Sequence, residues 1–282
     1  MLNNNHTNHY ETNTILKIEN VNLTLGDNHI LDDINFEIKD IKEDGAIRGQ
    51  IRGLIGPSGV GKTQLLKIIA GLNTPDTGSV LVAVDDKATL MPVKAGMVGV
   101  VAQNYPLFEH LSVLDNLILA GTASKLAKKE SKEKAVELLN RFGLEERASF
   151  WPAQLSGGQR QRIAILQQLM VERYFLIMDE PFSGLDPKAI TILLDFISEV
   201  ANTNELNTII IISHDIRSVV ISADRIYILG RQYDSKGNLI RSAHITEEID
   251  LLEMGLAWQD KIKELPRFNS LVNEIEEKFM RI

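Results

Sequence analysis

The sequence contains no cysteine and no long apolar run, and each absence excludes a class of protein. Without cysteine the chain can form neither a disulfide nor a cysteine-ligated metal site, which fits a reducing compartment. No segment reaches the roughly 18 consecutive apolar residues of a membrane-spanning helix. If the protein works at a membrane, we therefore expect another subunit to supply the membrane spans.

Positive charge is also scarce, because the 30 lysine and arginine residues are outnumbered by 38 acidic residues, which gives a formal charge of −8. Neutralising nucleic-acid phosphates requires a basic face, so we predict no nucleic-acid partner. Residues 1–14 are rich in asparagine and have no apolar core. We interpret them as a flexible polar tail and not as a secretory signal.

A glycine-rich stretch lies between a predicted strand at 50–55 and a predicted helix at 64–70. It fits G-x-x-x-x-G-K-[ST], the pattern of a phosphate-binding P-loop. Its residues are Gly56, Pro57, Ser58, Gly59, Val60, Gly61, Lys62 and Thr63. Glycines let backbone N–H groups approach phosphate oxygens, and the helix N-terminus adds partial positive charge there. We expect Lys62 to reach the β- and γ-phosphates and the Thr63 hydroxyl to ligate Mg²⁺.

Apolar segments of strand length alternate with helical segments, which predicts an α/β fold with a parallel sheet covered on both faces. The predicted strands are 15–25, 30–38, 50–55, 79–84, 96–102, 174–179, 208–212 and 225–229. A lysine-rich helical block at about 104–170 is predicted to be an inserted subdomain. Ligands of such sheets bind at the carboxyl ends of the strands. The P-loop, the Asp179-Glu180 pair and His214 all follow predicted strands, so we expect them to meet there.

A second helix start with glycines occurs at Leu155-Ser156-Gly157-Gly158-Gln159. Ser156 can cap this helix, and the two glycines leave its N–H groups open to an anion. A P-loop does not need a second anion site for the same nucleotide. Taken alone the stretch is more often a plain helix start, but its position ahead of Asp179-Glu180 favours a binding role.

With these stretches, the chain resembles the nucleotide-binding subunit of ATP-binding cassette (ABC) transporters over about residues 16–241. Six motifs stand in the family's order: the P-loop, the Q-loop Gln103, the signature 155–159, the Walker B strand 174–179 with Glu180, the D-loop 183–186 and the switch His214. The resemblance implies a P-loop NTPase core with an antiparallel β subdomain in a nucleotide-binding domain at 15–241. It also implies a head-to-tail homodimer or a paired ABC subunit, with two ATP molecules at the interface.

The resemblance also implies a role for each motif residue. Glu180 would orient or deprotonate the attacking water, and His214 and Lys62 would act on the γ-phosphate. Asp179, Thr63 and Gln103 would hold Mg²⁺. The remaining contacts with the nucleotide would come from Gln64, Gln103, Asp186 and, across the dimer, Ser156, Gly158 and Gln159.

Two positions depart from the family pattern. Leu25 stands where the family often has an aromatic residue on the adenine ring, so the preference for ATP over GTP is left open. Gln64 stands where a hydroxyl residue is usual near the α-phosphate, although a glutamine amide can still donate a hydrogen bond.

The partners expected from the resemblance are integral membrane permease subunits and a substrate-binding protein. Residues 108–113 resemble the stretch that receives a permease helix, and Trp151-Pro152 is more typical of importers. We therefore predict the ATPase of an importer on the cytoplasmic face of the cell membrane. A non-transport or lipid-trafficking membrane complex and a soluble ABC protein remain as alternatives.

Residues 242–282 follow the predicted cassette and have an amphipathic pattern, which predicts a helical extension. Their placement is similar to the tails of nitrate, sulfonate and taurine importer ATPases. The pattern fits either a helix packed on its own cassette or a segment with a regulatory role.

Overall fold

The structure is a computed structural model that describes residues 9–43, 48–85, 87–171, 174–232, 240–259 and 261–281. The strands are β1 (His9–Leu25), β2 (Asn28–Glu43), β3 (Gln50–Ile55), β4 (Thr77–Ala83), β5 (Leu90–Pro92), β6 (Gly99–Val101), β7 (Phe175–Asp179), β8 (Thr208–Ser213), β9 (Arg225–Gly230) and β10 (His244–Asp250). The helices are α1 (Lys62–Ile69), α2 (Val113–Ala123), α3 (Lys128–Arg141), α4 (Gly157–Leu169), α5 (Pro187–Ala201), α6 (Ile216–Ser222) and α7 (Pro266–Arg281). Short 3₁₀ turns occur at Glu145–Arg147, Pro152–Gln154 and Ile262–Glu264.

The core is a six-stranded sheet in the order β10-β9-β3-β8-β7-β6, parallel except for β10. Its central strands β3 and β8 are buried along their whole length. Successive side chains of a strand point to opposite faces, so one apolar strand serves two cores. Ile209 and Ile211 pack with helices α4, α5 and α6, whereas Ile210 and Ile212 pack with α1 and the second sheet.

The second sheet is antiparallel, in the order β2-β1-β4-β5, and packs on the face of the core sheet that carries Leu54. Helices α2 and α3 are inserted between β6 and β7, and α4 leads back into β7. The predicted fold class is therefore confirmed. No helix in the described part of the chain is long and apolar enough to span a membrane.

The N-terminal prediction is wrong for residues 9–14, which belong to strand β1 and pair with 39–43 of β2. Tertiary contacts explain this order in a polar segment: Glu11 Oε1 lies 2.5 Å from Arg225 Nη2 on β9. The same guanidinium is 2.6 Å from Asp250 and 3.2 Å from Glu248, both on β10. Residues 1–8 of the predicted tail lie outside the described residues.

The predicted helical extension at 242–282 is wrong at its beginning, because 244–250 form strand β10. This strand pairs antiparallel with β9 at the edge of the core sheet, and Ile249 is buried against the core. The rest of the extension contains helix α7, as predicted. The apolar face of this helix is buried and consists of Phe268, Leu271, Val272 and Ile275.

Candidate active site

The P-loop connects β3 to α1 at the carboxyl edge of the core sheet, and its glycines are required by backbone geometry. Gly59 and Gly61 have φ angles of 76° and 117°, in the left-handed region that favours glycine. A Cβ on Gly56 would lie 2.3 Å from the backbone oxygen of Leu229. No side chain caps α1, which leaves its N-terminus open to an anion. From the end of β9, Arg231 Nη2 donates to the Gly59 carbonyl at 3.0 Å.

Lys62 is buried and folded back over the loop. Its Nζ donates to the carbonyl oxygens of Gly56 at 2.8 Å and Pro57 at 3.1 Å, and it lies 3.6 Å from Glu180 Oε1. Burial lowers the pKa of the Lys62 ammonium, while the negative charge of Glu180 opposes that shift. The loop carbonyls and the carboxylate together hold this cation at the mouth of the P-loop.

Glu180 follows β7 and has a φ of 49°, an unusual backbone conformation for a residue with a side chain. Its N–H donates to Ile212 O at 2.8 Å. Its Oε2 accepts hydrogen bonds from Ser213 Oγ at 2.9 Å and from the His214 N–H at 3.3 Å. The same oxygen lies 2.8 Å from His214 Nδ1, and because a carboxylate only accepts, Nδ1 is the donor in this contact. Glu180 is thus held between the lysine and the histidine.

Thr63, Gln103 and Asp179 line one open cleft of about 480 Å³ beside the P-loop. Burial raises the pKa of Asp179, and the negative charge of Glu180 adds to that shift. Gln103 Nε2 donates to Ser183 Oγ at 3.5 Å. The described residues include no group of three His, Cys, Asp or Glu that could hold a metal. A hydroxyl, an amide and one carboxylate, completed by phosphate oxygens, are instead a donor set that suits Mg²⁺.

The signature stretch forms the start of α4 as a capping box. Ser156 Oγ accepts from the Gln159 N–H at 3.3 Å, and Gln159 Oε1 accepts from the Ser156 N–H at 3.0 Å. Apart from its chain neighbours and the backbone of its own helix, no atom lies within 4 Å of a Cβ built on Gly157 or Gly158, so this helix start faces open space. Within the described residues, no hydrogen bond or ion pair joins residues 155–159 to the P-loop. The structure does not bring these two predicted parts together within one chain.

Three other predicted residues, Leu25, Gln64 and Asp186, occupy the following positions in the fold. Leu25 ends β1 with 42% of its surface exposed. Gln64 is half-buried in the first turn of α1. Asp186 caps α5, because its Oδ1 accepts from the N–H groups of Lys188 and Ala189 at 2.9 Å. Their roles at a nucleotide stay predictions.

Sequence reasoning missed four residues that contact the site. Ser213 stands next to His214, so its position at a strand end was a usable signal. Tyr105 Oη and Gln161 Nε2 both donate to the Pro181 carbonyl, at 3.3 and 2.8 Å. Arg231 supports the P-loop from another strand. Only tertiary structure reveals the last three.

Comparison with known proteins identifies the family. The family described as "ABC transporter" matches residues 33–183. A sulfate/thiosulfate import ATP-binding protein of Pectobacterium atrosepticum is 37% identical over 220 residues, which cover 77% of this chain and 64% of that protein. A glutamate/aspartate import ATP-binding protein of Escherichia coli K12 is 38% identical over 205 residues, which cover 71% of this chain and 81% of that protein. The matched part of this chain thus spans just under two thirds of the sulfate relative's length.

Among solved structures, CbiO1 from Clostridium perfringens, described as part of the ABC transporter complex CbiONQ, aligns with a TM-score of 0.71 and 27% identity. The alignment covers 93% of this chain and 100% of that one. The match at 33–183 takes in more than half of the 282 residues. The protein therefore belongs to the ABC transporter family, as one of its ATP-binding subunits.

Proposed function

We propose that this chain binds and hydrolyses ATP to drive an ABC importer. One observation carries the proposal: the Glu180 carboxylate lies 3.6 Å from Lys62 Nζ and 2.8 Å from His214 Nδ1, beside the P-loop. The Glu180 carboxylate, the histidine that donates to it and the phosphate-binding Lys62 therefore share the carboxyl edge of the sheet, where ligands of such folds bind.

Each group has a task in phosphoryl transfer to water, which depends mainly on positioning and charge neutralisation. The P-loop N–H groups and Lys62 bind the phosphates. Glu180 orients the water and takes its proton, while His214 holds the carboxylate in place and contacts the γ-phosphate. Thr63, Gln103 and Asp179 would hold Mg²⁺, which would supply positive charge to neutralise the phosphates. ATP would displace the Lys62 ammonium from Glu180, which frees that carboxylate to act as a base.

The open signature helix supports a head-to-tail dimer. Ser156 and Gly158 present a helix start to open space, and among the described residues no hydrogen bond reaches it from the P-loop. A second copy, or a paired ABC subunit, placed head to tail would put its ATP on this helix start. Each nucleotide would then need residues from two chains.

The named relatives support import and membrane partners. One is named for sulfate and thiosulfate, the other for glutamate and aspartate, at nearly equal identity to this chain. The cassette is therefore a poor indicator of substrate, and we assign specificity to permease subunits and a substrate-binding protein. Docking on such permeases places the chain at the cytoplasmic face of the membrane.

Glu180→Gln tests the proposal. We expect this variant to bind MgATP with wild-type affinity but to lose at least about a hundredfold in kcat, because the amide cannot accept a proton. Glu145→Gln, an exposed acid in the helical subdomain, serves as the control and should keep wild-type kcat. Wild-type turnover by Glu180→Gln, or no ATP turnover by the unmodified chain, would refute the assignment.

The dimer is tested separately. Specific activity of the wild type should rise with protein concentration, and Ser156→Arg, which places a bulky cation at the open helix start, should abolish turnover without weakening ATP binding to the monomer. Activity independent of concentration, together with an active Ser156→Arg variant, would contradict a shared site.

A further inference from the structure

The carbonyl oxygen of Pro181, in the residue directly after Glu180, accepts hydrogen bonds from two separate elements. Gln161 Nε2 on α4 donates to it at 2.8 Å. Tyr105 Oη, in the loop that follows β6, donates to it at 3.3 Å. Neither residue belongs to the six motifs, and the proposed mechanism uses neither. The backbone beside the proposed base is therefore tied to both the signature helix and the loop that carries Gln103.

Stability alone does not account for a glutamine at this place. Gln161 is 0% exposed, and its Oε1 has no hydrogen-bond partner among the described residues. A buried polar atom without a partner destabilises the fold, whereas an apolar side chain of the same length would fill the space without that cost. What glutamine adds over such a side chain is the bond to Pro181.

The second donor is itself firmly placed. Tyr105 has a φ of 44°, and Arg160 Nε, the neighbour of Gln161 on α4, donates to the Tyr105 carbonyl at 3.2 Å. Arg160 also forms an ion pair with Glu109.

Glu180 needs this support because of its backbone. A residue with a side chain persists at positive φ only where surrounding contacts hold it. On one side, the Glu180 N–H is fixed by Ile212 O at 2.8 Å. On the other side, the Glu180 carbonyl accepts from the Ser183 N–H at 3.2 Å, and the next carbonyl, that of Pro181, is held by the two side chains. If the Pro181 carbonyl is released, the turn that follows Glu180 loses both of its side-chain hydrogen bonds, and Glu180 can shift toward a more common conformation that carries its carboxylate away from the P-loop.

We propose that Gln161, assisted by Tyr105, is a positioning residue that aims the Glu180 carboxylate by holding the Pro181 carbonyl. The inference rests on the proposed ATP hydrolysis at Glu180. It adds a direct physical connection from the signature helix of a chain to the base of the same chain. A movement of α4 relative to the core sheet would be transmitted to Glu180 through the hydrogen bond from Gln161 to the Pro181 carbonyl.

Gln161→Met, in the full chain, removes the donor and keeps the length of the side chain. We expect kcat to fall roughly tenfold, the effect of losing one buried hydrogen bond that orients the base. KM and the affinity for MgATP should stay within about twofold of the wild type, because no phosphate contact changes. Gln167→Met is the matched control, because Gln167 lies on the same helix as Gln161 and its Nε2 is 3.4 Å from Asn116 Oδ1 on α2. This variant should keep wild-type kcat.

The Glu180→Gln background separates positioning from general damage. A residue that acts through Glu180 has nothing left to position there, so Gln161→Met should not lower the residual turnover of Glu180→Gln any further. Wild-type kcat in Gln161→Met, or the same fold loss in both backgrounds, overturns the proposal. If Gln161→Met does not fold, Tyr105→Phe decides by the same criteria, with an expected loss of roughly threefold. Absence of ATP turnover in the unmodified chain would instead overturn the proposed function, and this inference with it.

Discussion

Replacing Asp224 with asparagine should change how the stability of the chain depends on pH. Asp224 precedes β9 and is only 2% exposed. Its Oδ2 accepts from the Ile51 N–H at 2.6 Å, and its Oδ1 accepts from Trp258 Nε1 at 2.7 Å. Burial raises the pKa of Asp224 from its ordinary 3.8 to about 6, although the Ile51 hydrogen bond and the charge of Arg52 act in the opposite direction.

The sign and size of the effect follow from this shift. Because the pKa is higher in the folded chain than in the unfolded chain, the folded chain binds more protons between these two values. The unfolding free energy contributed by Asp224 therefore decreases as pH rises through the window from 3.8 to about 6. At about 1.4 kcal/mol per pKa unit the whole shift amounts to about 3 kcal/mol. About 2 kcal/mol of it falls between about pH 4.5 and about pH 7.

Urea unfolding of the wild type and Asp224→Asn across this pH range measures the effect. Asparagine does not titrate, so the variant should gain about 2 kcal/mol on the wild type between about pH 4.5 and about pH 7. If the asparagine amide cannot form one of these hydrogen bonds, the variant loses the same stability at each pH. This loss therefore cancels when the change in unfolding free energy between the two pH values is compared. Asp195→Asn, at an exposed position on α5, is the control and should run parallel to the wild type. Parallel curves for Asp224→Asn would refute the reasoning.

Three further changes test the nucleotide site. Gly56→Ala places a Cβ 2.3 Å from a backbone oxygen, so we expect at least about tenfold weaker MgATP binding in a titration and a lower Tm. Leu25→Tyr, at a 42% exposed position, should lower the Kd for ATP by about fivefold if the adenine ring lies there, and an unchanged Kd would remove Leu25 from the site. Arg231→Ala frees the Gly59 carbonyl and should raise the Kd for MgATP roughly fivefold, whereas Arg231→Lys should recover part of this loss.

The P-loop and the strand-end residues could be predicted because local rules determine them. A glycine spacing identifies a loop whose φ angles only glycine adopts easily, as Gly59 and Gly61 confirm. Runs such as 208–212 can be recognised as buried parallel strands from their apolar residues alone. Because parallel strands end at one edge, the order of strands and polar residues along the chain is enough to predict that Glu180 and His214 meet there.

Other features depend on partners that are distant in sequence. Strand β10 has five polar residues in seven and falls within the predicted helical extension, yet pairing with β9 orders it as a strand. The pairing of Tyr105 and Gln161 on one carbonyl joins a loop to a helix 56 positions further along the chain. Such contacts are set by the packing of whole elements, which periodicity does not report.

Arg225 connects the beginning of β1 to the edge strand β10 through one guanidinium group. Its partners are Glu11 near the N-terminal end of β1 and two acids of β10 near the C-terminal end. Two segments that are far apart in sequence thus share one cation, so fraying of either segment removes part of the charge that neutralises Arg225. Backbone amides of 9–14 and 244–250 should accordingly exchange with solvent at matched rates, as one cooperative unit. A truncation of residues 9–14 then perturbs β10 as well, through Arg225 on β9, the strand that pairs with β3.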